Sequence, residues 1–351
     1  MKDNTVLITG ATGAVGREVL DQLYQIHPPK KITVLVRLSR KATKITSKYK
    51  DINVIYGDIT NPTDVEKACV GIDRVIHLAA IIPPLADEHV ELTEKVNIEG
   101  TRNVVKALEK HSPEAFLFYS SSVATYGDRN KNPDIRTTDP LIPSVGDEYA
   151  VTKIAAEKII RESKLNWTIY RLSAIMGVGN HKVSKLMFHM PLDTIMEICT
   201  VKDTARAFVN SIGKEEIVNQ RTFNLGGGEQ CRILYKDFIA RAFSAYGMGK
   251  PNFPDYAFAE INFHCGNYVD GNELEDVLKF RSDNLDSYFK MLEDSVPGIQ
   301  RFFTKLVNVP VKKVLLRTSE PYYAHRKQDK IMLERFFGDE YDKMIAKSRI
   351  K

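Results

Sequence analysis

Short β-branched runs and amphipathic stretches alternate from the start of the chain. Residues 6–9 read as a strand, 15–26 as a helix with apolar positions every three or four residues, and 32–36 as a second strand, which is a βαβ rhythm. Residues 54–56, 75–79, 116–120 and 168–172 supply further strands, separated by helical patterns at 63–69, 92–111 and 148–163. These strands are apolar along their length rather than alternating, which predicts a parallel sheet covered by helices on both faces. Beyond Met176 the pattern loosens into aromatic and loop-rich stretches, such as 250–267, with helices near 200–212 and 235–246. One more strand, 222–225, runs into Gly226, Gly227 and Gly228 and is expected to return to the first sheet. No internal repeat or low-complexity segment interrupts the order.

The first strand and helix are joined by TGATGAVG, with Gly10, Gly13 and Gly16. At this place each glycine has a purpose: a tight turn after the strand, bare backbone beside a pyrophosphate, and close packing of helix on strand. The opening of the helix, through Thr12, Ala14 and Val15, presents unpaired N–H groups to phosphates. The expectation is therefore an α/β, Rossmann-type doubly wound parallel sheet that binds a nicotinamide dinucleotide. Its domain is expected to span residues 1–176 with returning segments at about 196–228. A smaller substrate-binding and C-terminal region takes 177–195 and 229–351.

The end of the second strand speaks to which dinucleotide. An Asp or Glu there binds a free ribose 2′-hydroxyl, but TVLVRLSRK carries Arg37, Arg40 and Lys41 and no carboxylate. Guanidinium groups match phosphate in geometry and charge, so NADP is favoured over NAD, with Arg37 at the 2′-phosphate. The alternative is that Arg40 and Lys41 are only solvated.

Two later segments carry chemistry: SSSVATYGD at 120–128 after a strand, and YAVTK at 149–153 opening a helix. Tyr149 and Lys153 are four residues apart and so share a helix face. A lysine ammonium beside a phenol favours the phenolate, so the expectation is a Tyr149 pKa drawn down toward the range useful for proton transfer.

Taken together, TGATGAVG, GDIT with Asp58, HLAA at 77–80, VNIEGT with Asn97, SSSVATYG and YAVTK occur in the order and spacing of the extended short-chain dehydrogenase/reductases, which the chain resembles from about residue 4 to 228. VKDTARAF at 201–208 and FNLGGG at 223–228 continue the likeness, whereas the last ~120 residues match no family pattern. The resemblance implies that Tyr149 is the general acid/base and that Lys153 tunes it and binds the nicotinamide ribose. It makes Ser122, with Ser121 as the fallback, the hydroxyl on the substrate oxygen. Asn97 is grouped with these catalytic residues, as an organiser of helix geometry and water rather than a substrate contact. Asp58 and Ile59 are implied at the adenine, and His77, Leu78, Ala79 and Ala80 along the cofactor channel. Family members commonly pair through the helices at 92–111 and 148–163, which implies a homodimer.

Fold cannot choose the reaction. The family's dehydratases follow the catalytic hydroxyl residue with Asp-Glu; here Ser122 is followed by Val123 and Ala124, which speaks against dehydration. Only about thirty residues separate Arg171 from Asp203, rich in Met, Leu, Ile and Phe, where sugar-nucleotide enzymes of the family carry a longer polar segment. With Ile81, Ile82, Val123, Ala124 and Met176 as the expected pocket, the reading is a small hydrophobic ketone, aldehyde or secondary alcohol as substrate. A nucleotide-sugar epimerase holding its NAD(P), and a non-catalytic cofactor-sensing module, stand as alternatives. Core packing is the competing account of the Met and Leu positions.

Composition narrows the rest. Hydrophobic residues are 43% and charged residues 27% of the 351, and no run reaches the ~18 apolar residues of a membrane span. The opening MKDNTVLITG has no secretory-leader pattern, and a cytoplasmic location is expected. Cys69, Cys199, Cys231 and Cys265 form no Cys-x-x-Cys pair, and His181, His189 and His264 are scattered, so no metal site is expected. Nothing points to nucleic acid as a partner. The formal charge of +5 is concentrated late: residues 301–351 hold 13 Lys/Arg against 6 Asp/Glu. A solvated or partner-packed amphipathic helix is the expected reading of that tail, with contact to an acidic surface as the alternative.

Overall fold

Seven strands hydrogen-bond in parallel in a computed structural model that describes residues 4–179 and 185–348. They are β1 (Val6–Thr9), β2 (Ile32–Val36), β3 (Asn53–Tyr56), β4 (Arg74–His77), β5 (Phe116–Ser122), β6 (Asn166–Leu172) and β7 (Arg221–Leu225). Their spatial order is β7-β6-β5-β4-β1-β2-β3. The sheet thus grows one way from β1 to β3 and the other way from β4 to β7. The strand ends at the β1–β4 junction form the switch point at which open α/β sheets receive ligands.

Strand periodicity sorts the side chains onto two faces. Val6, Ile8, Phe116 and Phe118 enter one core with Val19 and Leu20 of α1 (Ala14–Ile26). Leu7, Leu117 and Tyr119 enter the other with Val104 and Leu108 of α2 (Gly100–His111) and Ile160 of α3 (Glu148–Arg161). A fourth helix, α4 (Val201–Asn210), packs against α1 and adds Phe208 to the first core. The predicted helix at 92–111 is not continuous: a π-helical turn, Lys95–Glu99, precedes α2 and carries Asn97. Such turns re-aim a side chain inside a helix.

A small sheet stands beside the large one, with Ala174–Met176 parallel to Ile195–Thr200 and Arg232–Leu234 antiparallel to it. Its core holds Met176, Phe188, Met190, Met196, Phe243 and Tyr288. This corrects two expectations. Met176 is buried core rather than pocket wall, and the Met- and Phe-rich stretch between Arg171 and Asp203 fills this core through Phe188 and Met190. Helices Glu320–Lys327 and Lys330–Phe337 close a further cluster of Ala324, Leu333, Phe336 and Phe337 over Ala259. Among the described residues no helix is long and apolar enough to cross a membrane.

Candidate functional site

The glycine turn leaves β1 with Gly10 at φ +75, a left-handed conformation in which a Cβ would also lie 2.7 Å from the Ala79 nitrogen. A Cβ on Gly16 would stand 2.1 Å from the Gly10 carbonyl oxygen, so helix and turn touch backbone to backbone. Gly13 is the N-cap of α1, offers no side-chain cap, and no acidic residue occupies the first turn. The first amides of α1 are therefore left for an anion. Thr12, Ala14 and Val15 are half-buried around this opening.

At the end of β2 the chain turns out to solvent. Arg37, Arg40 and Lys41 are exposed, and residues 28–50 contain no Asp or Glu. Ser39 caps the next helix, Arg40–Thr46, by accepting a 3.1 Å hydrogen bond from the Ala42 amide. An open groove is lined by Leu38, Ser39, Arg40, Thr43 and Lys44. Beyond β3, Asp58 accepts hydrogen bonds from the Thr60 amide at 2.9 Å and hydroxyl at 2.8 Å, and Ile59 is buried against Gly100.

Leu78, Ala79 and Ala80 follow β4 half-buried, but the His77 side chain is wholly inside. The Thr101 hydroxyl donates to the Asn97 carbonyl at 2.7 Å, so His77 Nε2 donates to Thr101 at 3.0 Å. Its Nδ1 then accepts from the Thr9 hydroxyl at 2.7 Å. Burial, reinforced by the nearby Lys153 charge, pulls its pKa down to about 3. His77 is a neutral brace between β1, β4 and the helix start rather than part of a cofactor wall.

Three consecutive serines at the end of β5 divide their roles. Ser120 donates to the His77 carbonyl at 3.2 Å. Ser121 is buried and donates to Glu157 at 2.5 Å. Ser122 is partly exposed, accepts from the Ala124 amide at 3.2 Å, and lies close enough to the Tyr149 phenol to draw its pKa down. Ser121 follows Tyr119 onto the α3 side of the strand, where Glu157 lies, while Ser122 ends the strand close to the Tyr149 phenol at the start of α3.

Tyr149 opens α3 in a cluster with Ala86, Ala124 and Ala150, with Ile81 against it. Burial pushes its pKa up, the Ser122 hydrogen bond pulls partly back, and the Asp147 carboxylate adds to the rise. The expected lowering by Lys153 is therefore corrected. The Lys153 ammonium is aimed at the Ser120 carbonyl, 2.7 Å away, and at the Tyr119 hydroxyl, 3.3 Å away, and stands 5.8 Å from the Tyr149 ring centroid. Lys153 is itself buried, which draws its pKa down to about 7 against the opposing pull of Glu157.

Asn97 is saturated. Its Oδ1 accepts from the Ile81 amide at 2.8 Å, and its Nδ2 donates to the Ile81 carbonyl and the Thr152 hydroxyl, each at 3.0 Å. It ties the loop after β4 to α3 without facing an open space. Of the expected pocket, Ile81 lies against Tyr149 and Ile82 is exposed, while Ala124 is buried beneath Tyr149. Val123 is corrected to core, in a separate cluster with Tyr126, Ile135 and Tyr268.

Two supports had no plain signal in the sequence. Glu157 and Arg171 form a buried two-point pair at 2.9 and 2.8 Å, joined by Ser121, Arg161 and Tyr126. Burial alone would raise the Glu157 carboxyl, but these donors, Arg171 foremost, hold it below the usual carboxylate range. Asp147 caps α3 through the Ala150 amide at 2.9 Å and binds His264 Nδ1 at 2.9 Å, so a residue from the C-terminal half steadies the Tyr149 turn. His189 pairs with Glu320 at 2.8 Å, whereas His181 lies outside the described residues. Among the described residues no group of three or more His, Cys, Asp or Glu could hold a metal ion.

Comparison with known proteins adds to this geometry. The model of the NAD dependent epimerase/dehydratase family matches residues 6–226. A 3-beta-hydroxysteroid dehydrogenase of Mycolicibacterium neoaurum is 29% identical over 52% of this chain and 50% of its own. An N-acetyl-alpha-D-glucosaminyl-diphospho-ditrans,octacis-undecaprenol 4-epimerase of Escherichia coli O157:H7 is 32% identical over 51% of each chain. The chain thus spans about half the length of the curated relatives it matches. The fold is that of DesIV, a dTDP-glucose 4,6-dehydratase from Streptomyces venezuelae solved with NAD bound, at TM-score 0.68 and 18% identity over 82% of this chain and 95% of that one.

Proposed function

The chain belongs to the NAD dependent epimerase/dehydratase family, and from that premise we propose that it is an NADP-dependent oxidoreductase acting between a small hydrophobic ketone or aldehyde and its secondary alcohol. The observation that carries this reading is the closeness of the Ser122 hydroxyl to the Tyr149 phenol, with Lys153 one helical turn along on the same helix. A nicotinamide cofactor, when bound, supplies or accepts the hydride. The residues present fit it: neither Gly10 nor Gly16 has room for a Cβ, and the uncapped start of α1 suits a pyrophosphate. Arg37, with Arg40 and Lys41 behind it, suits a ribose 2′-phosphate.

The chain's own part in the chemistry is to hold one oxygen and move one proton. Ser122 and Tyr149 are two donors converging on the substrate oxygen, so negative charge developing there is met by preorganised hydrogen bonds. Burial keeps Tyr149 protonated, which is the form that gives its proton to the nascent alkoxide in reduction. Lys153 is held under the site by Ser120 and Tyr119 and places its charge beside the phenolate that results. Asn97 and Asp147 position α3 and the Ile81 loop. Ile81, Ile82 and Leu85 offer apolar surface on the Tyr149 side, and likeness to a hydroxysteroid dehydrogenase supports an apolar substrate.

Equilibrium titration of the purified protein with NADPH and with NADH tests the cofactor assignment. Tighter binding of NADPH is expected, and Arg37→Ala weakens it about ten-fold, the worth of one charge-assisted contact, with NADH unchanged. Equal affinities for the two cofactors, untouched by Arg37→Ala, would sink it. A second reading, a nucleotide-sugar epimerase with no net redox change, is favoured by the likeness to the Escherichia coli 4-epimerase.

A further inference from the structure

Helix Gly298–Leu306 sits on the protein inside out. Ile299, Phe302, Phe303 and Leu306 fall at i, i+3, i+4 and i+7, which is one stripe of an α-helix. That stripe faces outward, with exposures of 76%, 60%, 60% and 65%. The residues turned toward the protein are polar. Arg301 and Thr304 are half-buried, and Arg301 Nη2 donates a 2.8 Å hydrogen bond to the Glu293 carbonyl. No residue of this helix is buried. Val307, Val309 and Val314 extend the exposed apolar surface into the next helix, Asn308–Leu316, whose Val311, Leu315 and Leu316 are anchored on the core beneath. Folding of this chain gains nothing from such a face, so an outside surface is the partner its pattern fits.

Charge says which one. Residues 298–319 contain Arg301, Lys305, Lys312, Lys313 and Arg317 and no Asp or Glu. Lys305, Lys313 and Arg317 are exposed beside the apolar stripe. A second copy of the chain would bring like charges together around the contact, whereas an anionic lipid surface takes both the cations and the apolar side chains. We propose that the helix pair Gly298–Leu306 and Asn308–Leu316 docks the protein on the surface of an anionic bilayer. Phe302, Phe303 and Leu306 enter the acyl boundary and the lysines meet the headgroups. The helix lies in the interface and does not span it.

The test is flotation of the full chain with vesicles of phosphatidylcholine alone and with added phosphatidylglycerol, and it reads no turnover. The intact protein floats with the anionic vesicles, and added salt releases it, because the lysine contacts are screened. Phe302→Ser/Phe303→Ser lowers the partition by at least about ten-fold while cofactor binding and melting temperature stay unchanged, since both rings are outside the core. Lys305→Gln/Lys313→Gln weakens binding to anionic vesicles only. Failure to float with anionic vesicles overturns the proposal, as does flotation indifferent to the phenylalanine pair. Concentration-dependent self-association abolished by that pair, with no flotation, also overturns it and assigns the face to a second copy.

Discussion

The Ser121 hydroxyl donates a 2.5 Å hydrogen bond to the buried carboxylate of Glu157, about two turns along α3 from Tyr149. Its neighbour Ser122 is thereby the one serine of the three left at the Tyr149 phenol.

The two serines are accordingly separable by substitution. Ser122→Ala is expected to lower kcat by about a hundred-fold, the scale of losing one preorganised donor to a developing oxyanion, at unchanged stability. Ser121→Ala is expected to leave kcat within a few-fold and to cost about 1–3 kcal/mol of unfolding free energy, since a buried carboxylate oxygen loses one donor. Steady-state kinetics and urea denaturation on both variants check this, and the reverse pattern would exchange their roles.

Gly16→Ala should be costly because its Cβ would meet the Gly10 carbonyl oxygen at 2.1 Å, backbone against backbone, with no side chain to swing away. A loss of about 1–3 kcal/mol is expected from overpacking, together with loss of measurable NADPH binding. Gly298→Ala, with nothing within 4 Å of its Cβ, is the control and should bind NADPH normally. Calorimetric binding and thermal melts on the pair decide the matter.

His77 links stability to pH. Its folded-state pKa of about 3 lies below the ordinary imidazole value of 6.5, so between the two the unfolded chain binds more protons and stability falls as pH falls. From pH 7 to pH 5 this group alone costs about 2 kcal/mol. His77→Gln, less stable at pH 7, should show a shallower decline over that interval in denaturant unfolding. Parallel slopes for the two proteins would show that His77 is not the linked group.

Much of this architecture was legible because it rests on local patterns. Apolar runs of three to five residues marked the strands, the glycine spacing marked the turn, and Tyr149 and Lys153 marked a helix face. The Glu157–Arg171 pair was not legible, because a glutamate on a helix and an arginine in a strand fourteen residues later show no sign of each other until tertiary packing buries them together. The direction of the Tyr149 shift depended on where the Lys153 ammonium pointed, which spacing along a helix cannot give. Met176, Val123 and Phe188 were apolar whether they lined a pocket or filled a core, and the structure put them in cores. The late helices carried a readable amphipathic stripe, but not the fact that it faces outward.

The central claim is that Ser122 and Tyr149 reduce or oxidise a carbon–oxygen centre at the expense of NADP, and stoichiometry tests it most directly. Purified protein is incubated with NADPH and a panel of steroid, aromatic and aliphatic ketones and aldehydes, with nucleotide sugars alongside, and both cofactor and product are quantified. The account predicts net NADPH loss matched mole for mole by alcohol. It also predicts a drop of about a thousand-fold in that rate for Tyr149→Phe, the scale of losing a general acid, with NADPH affinity unchanged. No net NADPH loss with any carbonyl, together with interconversion of a nucleotide sugar, would contradict it.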